Sequence, residues 1–321
     1  MQGDGTQANP YIPETWSEFT TAIGTSGAYV SLPITLVRTS DTKIMNGKIY
    51  FDSQGNRIAT PVQSQISTYY ENDFKFDMNA VNPLGVLINF NNCHVNGNGA
   101  SIINLYIPDS NTGINVSNGT LYLDDINFLN MYCDYDNTGR GIFRCQDNGR
   151  NFVVKNVQFQ GFINQGSMIG SAGGATRTFT SVTFSLTFSR NARFTNALLN
   201  GTDKYYKFCN FDFYGTPEQL WGSSGSDNRN KFINCKMSGR LIGEFSNVAQ
   251  FPSDSASSTN VIDIDYTEST NVTFDSNGNN PFVINTDKLP AGTTYENMTG
   301  VTTAQLSNAE YLRSVGFPCG D

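Results

Sequence analysis

The chain has 321 residues, of which 38% are hydrophobic and only 15% are charged, with a formal net charge of −8 and a pI near 4.7. This acidic balance disfavours nucleic acid and anionic membranes as partners, because both attract clustered lysine and arginine. No stretch approaches the run of about 18 apolar residues that a membrane span requires, so we predict no membrane insertion. Residues 1–5 lack the basic and apolar regions of a signal peptide, so we predict none.

The first predicted element is a short helix near the amino end. Thr15 and Glu18 have the spacing of a capping box, and Gly24 is placed to end the helix. Phe19 and Ile23 lie on one face of it, which suits a helix that covers the end of a larger core. Residues 28–80 contain strand-like runs without a clear repeat, and they are either early coils or a separate leading module.

A six-residue phrase then recurs between residues 88 and 275, in the order apolar, any, polar, small apolar, polar, large apolar. On a strand the fourth and sixth residues face the same side, so the fourth residues should stack in a single interior file. The third residue is Asn, Asp or Ser in six of the seven copies, with Phe208 the exception, and such residues suit sharp, left-handed corners. The fourth residues are Cys93, Ile126, Val157, Val182, Cys209, Cys235 and Val272.

This repeat predicts an all-β fold, a single-chain parallel β-helix that is right-handed and has short capping helices near both ends. We divide it into an N-terminal cap with leading coils (1–84), the β-helix coils (85–281) and a C-terminal irregular segment with a capping helix (282–321). An antiparallel sandwich would explain the composition, but it would not explain the recurring residue identities.

The last predicted element is a second capped helix. Residues 284–302 are predicted to be irregular, and Ser307 and Glu310 then form a second capping box. Gly316 and Pro318 are placed to end this helix. We expect it to cover the other end of the solenoid.

Catalytic and metal sites find little support in the sequence. Glycoside hydrolysis needs two carboxylates roughly 5–9.5 Å apart. The loop that begins at Asp134 resembles a calcium loop, but its twelfth position is Cys145 where a bidentate Glu is expected. His94, the only histidine, should point outward and suggests no triad. We predict no catalytic residue, cofactor or metal, although the carboxylate pairs keep an enzyme open: Asp124/Asp125, Asp134/Asp136 and Asp263/Asp265.

Outward aromatic side chains near polar groups favour carbohydrate binding instead. Ring faces pack on the C–H surfaces of sugars, and amides or carboxylates bind the hydroxyls. The other interpretation is that these rings cover the flank of the solenoid or a subunit contact. The predicted glycan-binding residues are Tyr132, Asp134, Tyr135, Asp136, Tyr214 and Trp221.

The two ends of the chain carry a resemblance to a known group. The entry Gly3-Asp4-Gly5-Thr6 with Asn9-Pro10-Tyr11, the turn Asn96-Gly97-Asn98-Gly99 and the ending at residues 309–318 resemble bacterial and bacteriophage β-helix surface proteins. The match covers roughly the first third of the chain and its last twenty residues.

This resemblance implies a bacteriophage virion appendage, a fibre, spike or capsid-attached protein. It would be made in the host cytoplasm, contact other virion proteins, self-associate (a trimer is common in the group) and bind host-surface glycan. The alternatives are a polysaccharide-degrading lyase or glycosidase on the same fold, and a bacterial surface adhesin.

Overall fold

The computed structural model describes residues 1–33, 35–37, 50–51, 57–58, 87–103, 105–107, 113–134, 141–144, 150–170, 176–195, 204–217, 220, 230–243, 259–270, 272–275 and 282–319. The helices in these ranges are α1 (Trp16–Gly24), a 3₁₀ turn (Thr286–Lys288), α2 (Thr303–Leu306) and α3 (Ala309–Ser314). The strands are β1 (Tyr29–Ser31), β2 (Thr35–Val37), β3 (Tyr50–Phe51), β4 (Arg57–Ile58), β5 (Leu87–Asn91), β6 (His94–Ile103), β7 (Tyr106–Ile107), β8 (Gly113–Asn118), β9 (Thr120–Asp134), β10 (Gly141–Arg144), β11 (Asn151–Lys155), β12 (Gln158–Ile169), β13 (Arg177–Thr180), β14 (Thr183–Phe188), β15 (Ala192–Thr195), β16 (Lys204–Lys207), β17 (Asn210–Gly215), β18 (Asn230–Ile233), β19 (Lys236–Leu241), β20 (Asn260–Asp265), β21 (Thr273–Asp275), β22 (Phe282–Asn285), β23 (Thr294–Glu296) and β24 (Met298–Val301).

Twenty strands form one parallel sheet that winds into a solenoid with three faces, which confirms the predicted all-β parallel β-helix. Face 1 consists of β1, residues 94–96 and 120–124, β11, β13, β16 and β18. Face 2 consists of β2, residues 100–103, β7, residues 126–133 and 158–163, β14, β17, β19, β20, β22 and β24. Face 3 consists of β5, β8, β10, residues 166–169 and β15.

The third residue of the repeat turns a corner in the left-handed backbone conformation, as predicted. Its φ values lie between 46° and 54° in the six copies where the structure describes it. Asn and Asp tolerate this conformation because their short polar side chains hydrogen-bond locally, whereas a large side chain is strained by it. The six residues are Asn92, Asp125, Asn156, Ser181, Phe208 and Asn234.

Five of the seven predicted interior residues stack in one file directly after the corner between faces 1 and 2. They are Ile126, Val157, Val182, Cys209 and Cys235, and all five are buried in the main core. Backbone hydrogen bonds hold the file in register. The N–H that follows each residue donates to the carbonyl oxygen of the residue one coil earlier, as Thr183 does to Val157 at 2.9 Å.

The prediction that Cys93 and Val272, from the first and last copies of the repeat, belong to this interior file is wrong. Cys93 is buried, but it begins face 1, because His94 pairs with Tyr122. The residue that pairs with Ile126 is Ala100, after the turn that contains Asn98. The phrase around Cys93 misleads because the chain uses the same kind of corner to enter face 1 as to enter face 2.

At the other end Asn260, not Val272, stacks on Cys235. The backbone N–H of Cys235 donates to Asn260 Oδ1 at 2.9 Å, and Asn260 Nδ2 donates to the carbonyl oxygen of Phe232 at 3.2 Å. Asn260 is fully buried, and these two hydrogen bonds satisfy its side-chain amide inside the core. Val272 is buried elsewhere in the same core.

Helix α1 begins and ends as predicted. The Thr15 side chain accepts a hydrogen bond from the Glu18 N–H at 3.2 Å, and the helix ends at Gly24. Phe19 and Ile23 are buried in the main core, and the Phe19 ring meets Phe90 of β5 edge-on. The helix therefore joins its apolar face to the core of the first coil.

The C-terminal helices differ from the prediction in their caps and position. Asn308, not Ser307, caps α3, while Thr302 and Gln305 form a capping box for α2. Both helices pack against a small separate cluster on the outer side of face 2 (Val261, Val283 and Val301), so they lie on the flank of the last coils. The segment predicted to be irregular contains β23 and β24, and the ladder continues past residue 281 through β22 and β24.

Candidate functional site

The outward side of face 1 carries a stack of aromatic rings. Tyr29, His94 and Tyr122 occupy the same register position in successive coils. Their ring centroids are 4.3 Å and 4.1 Å apart, and their planes are within 6° and 3° of parallel. The local reason is strand alternation, because their neighbours Val30, Val95 and Leu123 are buried in the core.

A groove of about 450 Å³ runs along this stack. Gln7 and Pro10 of the amino-terminal arm form one wall of the groove, and it extends over the rings to Val153 and Lys155 on the next coil. The arm is held in place by an isolated parallel bridge between Tyr11 and Val30. Gly5 belongs to this arrangement, because a side chain there would lie 2.5 Å from the Tyr11 ring.

The ring stack stops at Tyr122, which leaves one ring face over a smaller residue. The next residue in the file is Val153, followed by Thr178 and then Tyr205. Tyr122 and Val153 are 39% and 36% exposed, so the large ring and the aliphatic step beside it are both open to solvent. A flat, partly apolar ring such as a sugar can pack against this step.

Polar groups border the groove at the outward positions two residues after Tyr122 and Val153 on the same strands. Asp124 accepts a hydrogen bond from Asn156 Nδ2 at 2.9 Å through Oδ1. Lys155 pairs with Asp124 in the backbone register and is exposed, and it forms no ion pair with any described residue. One carboxylate and one ammonium group are therefore available beside the rings to bind hydroxyl or anionic groups.

His94 contributes the one imidazole ring of the stack. Its position between two tyrosine rings partly buries the imidazole, and this burial lowers its pKa below the ordinary value of 6.5. The sequence prediction that His94 faces outward is confirmed.

Among the predicted glycan-binding residues, the structure describes the side chains of Tyr132 and Tyr214. Tyr132 is only 3% exposed and its ring stacks on Phe162, so its prediction as an outward aromatic contact is wrong. Tyr214 lies three coils further along the same file, separated from Tyr132 by Phe162 and Thr187, both of which are buried. Asp134 ends β9, and its side chain lies outside the described residues, as do Tyr135, Asp136 and Trp221.

The carboxylate pairs have structural partners where the structure describes them. Asp125 is a corner residue, and Asp124 is bonded to Asn156. Asp263 forms an ion pair with Lys288 at 2.8 Å, and Asp265 accepts hydrogen bonds from the N–H and hydroxyl of Thr267, which closes a turn. Within the described ranges no cluster of three or more histidine, cysteine, aspartate or glutamate side chains is arranged to hold a metal ion.

Sequence reasoning missed Tyr29, Tyr122, Val153 and Lys155. A signal for three of them existed, because the residue four positions before each interior residue points outward on face 1. Counting back from Ile126 and Val157 gives Tyr122 and Val153, and Lys155 follows two residues later.

The chain matches no family model, no curated protein and no solved structure in the comparisons with known proteins. None of the helices in the described parts of the chain has the length and apolar character needed to cross a membrane.

Proposed function

We propose that the protein is a bacteriophage virion appendage, a β-helical fibre, spike or capsid-attached protein that binds host cell-surface glycan. The observation that carries the binding role is the groove on face 1, where the exposed ring of Tyr122 lies over Val153 with Asp124 and Lys155 beside it. This combination of a ring face, an aliphatic step and flanking polar groups is what sugar recognition requires.

The rest of the fold supports this role in a general way. A solenoid presents its outward files at fixed spacings of about 4.8 Å, so a groove along them is pre-formed and costs little ordering on binding. The entry and ending motifs, which resemble those of phage and bacterial surface β-helices, support placement on a virion. Other virion proteins would then be the partners of the remaining surface.

The binding role is tested with the purified chain on immobilised glycans from candidate host cells. We expect Tyr122→Ala to weaken binding about tenfold, the effect of losing about 1.4 kcal/mol of ring contact. Tyr295→Ala is the matched control, because Tyr295 is also 39% exposed but lies on β23, away from the groove.

Equal binding by the wild-type chain, Tyr122→Ala and Tyr295→Ala would refute the groove as the binding site. Release of new reducing ends from the same glycans would favour the polysaccharide-degrading alternative. Virion placement is a separate question, answered by imaging phage particles with an antibody against the chain. Labelling of the bacterial surface without labelled particles would favour the adhesin.

A further inference from the structure

The outer surface of the described strands of face 1 is positively charged, in contrast to the negative net charge of the whole chain. Lys155 and Lys207 lie in one outward file with Thr180 between them, and Lys231 lies in the neighbouring file next to Tyr205. The only acidic side chain on the outer surface of these strands is Asp124. Three lysines against one aspartate make this surface locally basic, although the whole chain has a formal net charge of −8.

These lysines are placed beside rings. Lys155 borders the groove that contains Tyr122. Further along the face, Lys231 Nζ lies 5.0 Å and Lys207 Nζ 5.8 Å from the centroid of the Tyr205 ring. Tyr122 and Tyr205 share one outward file, so lysines lie near a tyrosine ring at two places along the same face: Lys155 lines the groove with Tyr122, and Lys207 and Lys231 contact the Tyr205 ring.

Neither Lys155 nor Lys207 forms an ion pair in the described part of the chain, so no carboxylate there neutralises either ammonium group. Their positions are two coils apart, about 10 Å along the stacking direction. A ligand with anionic groups at intervals along its length could therefore meet both cations, while its sugar rings contact the tyrosines.

We propose that the glycan bound by face 1 is an acidic polysaccharide, in which Lys155 and Lys207 bind anionic groups carried by the sugars. This inference rests on the proposed glycan-binding function and specifies its substrate class. A nucleic acid fits less well, because its dense phosphates would meet the repulsion of a strongly acidic chain with only three lysines facing them.

The test measures binding of the full chain to four polymers: polygalacturonate, the same polymer after reduction of its carboxyl groups, a glycerol-phosphate polymer, and a single-stranded oligonucleotide. We expect the carboxylated or the phosphate-bearing polymer to bind at least tenfold more tightly than the reduced polymer and the oligonucleotide. The two anionic arms distinguish carboxylate from phosphate as the recognised group. Added salt should weaken the preferred interaction.

Lys155→Gln should reduce binding of the preferred anionic polymer about tenfold, and Lys155→Arg should retain it. Lys236→Gln is the matched control, because Lys236 is another exposed lysine at the edge of a strand but lies on face 2. Lys155→Gln should weaken binding of the reduced polymer much less than binding of the anionic polymer, because the reduced polymer can lose only a contact between Lys155 and a hydroxyl group.

Three results would overturn the acidic class. The first is equal or tighter binding of the reduced polymer or the oligonucleotide, and the second is no binding of either polygalacturonate or the glycerol-phosphate polymer. The third is an equal effect of Lys155→Gln and Lys236→Gln. If the reduced polymer binds well and Tyr122→Ala weakens it, the glycan-binding function stands and only the anionic preference fails. If Tyr122→Ala changes nothing, the groove itself is refuted.

Discussion

Phe208 and Asn234 occupy the same corner of successive coils, and their backbones have nearly the same left-handed conformation, with φ values of 54° and 53°. For a residue with a bulky side chain this conformation costs roughly 1–2 kcal/mol, whereas asparagine tolerates it. Phe208 is also 49% exposed, so burial of its ring offsets the strain only in part.

Phe208→Asn should therefore raise the free energy of unfolding by about 1 kcal/mol, because it removes backbone strain and gives up only the packing of a half-exposed ring. Chemical denaturation measures the change. Phe208→Ala is the control, since alanine removes the ring but keeps most of the left-handed penalty. If the two variants are equally stable, backbone strain at this corner is not the cause.

A second prediction compares the stability cost of substitutions in the interior file with that of substitutions on the outer surface. Ile126 is fully buried between coils, so Ile126→Ala should lower the free energy of unfolding by about 2–5 kcal/mol through lost burial and an unfilled cavity. Val153→Ala, one coil along but on the outer surface, should cost less than about 1 kcal/mol. Similar losses at the two positions, measured by denaturation, would contradict the assignment of inner and outer files.

The lowered pKa of His94 gives stability a dependence on pH. Below the unfolded-state pKa of 6.5 the unfolded chain binds a proton that the folded chain resists, so the free energy of unfolding should fall as pH drops from 6.5 through the lower folded pKa. The rings of Tyr29 and Tyr122 cover both imidazole faces, and Asp124 and Lys155 are the charged residues that line the same groove.

Unfolding measured between pH 8 and pH 5 should show this decline in the wild type and not in His94→Gln. Hydrogen bonds lower the pKa values of Asp4 and Glu18 from ordinary values of 3.8 and 4.5. Any stability that these two carboxylates contribute to the protein is therefore lost at more acidic pH, in the wild type and in His94→Gln alike. Parallel profiles for the two proteins above pH 5 would show that the histidine is not responsible.

The buried thiols should be chemically inert in the folded chain. Burial raises the pKa of Cys93 to about 12 and that of Cys209 well above its usual range, so little reactive thiolate forms. Iodoacetamide at pH 8, followed by mass spectrometry, should modify the partly exposed Cys319 and spare Cys93, Cys209 and Cys235. Modification of Cys209 at the rate of Cys319 would show that the coils open readily.

The sequence was sufficient to predict the coil, because interior and corner positions obey strict rules. Ile126, Val157 and Val182 recur as similar apolar residues, and each is preceded by a residue suited to a left-handed corner. The register of the first and last coils of the solenoid was not predictable in this way. Asn260 replaces an apolar residue by hydrogen bonding with its amide, and Cys93 follows a different corner with the same chemistry.

The groove was harder to predict than the coil, because core packing does not restrict which residue types occur at outward positions. The file runs from Tyr29 through His94 and Tyr122 to Val153, so it has no single residue type, and only the register reveals that these residues are neighbours. Tyr132 illustrates the opposite error, since an aromatic residue near a loop was read as exposed although other parts of the protein cover it.

Tyr122 lies four residues before Ile126 in the same coil, yet one faces solvent and the other the core. Mutations in the outward file can therefore change the surface of the solenoid while its packing stays intact. Under the proposed glycan-binding role, a glycan that alters under selection could be followed by small substitutions, one coil at a time. Divergent lineages of this rod should differ most at the position of Tyr122 and least at that of Ile126.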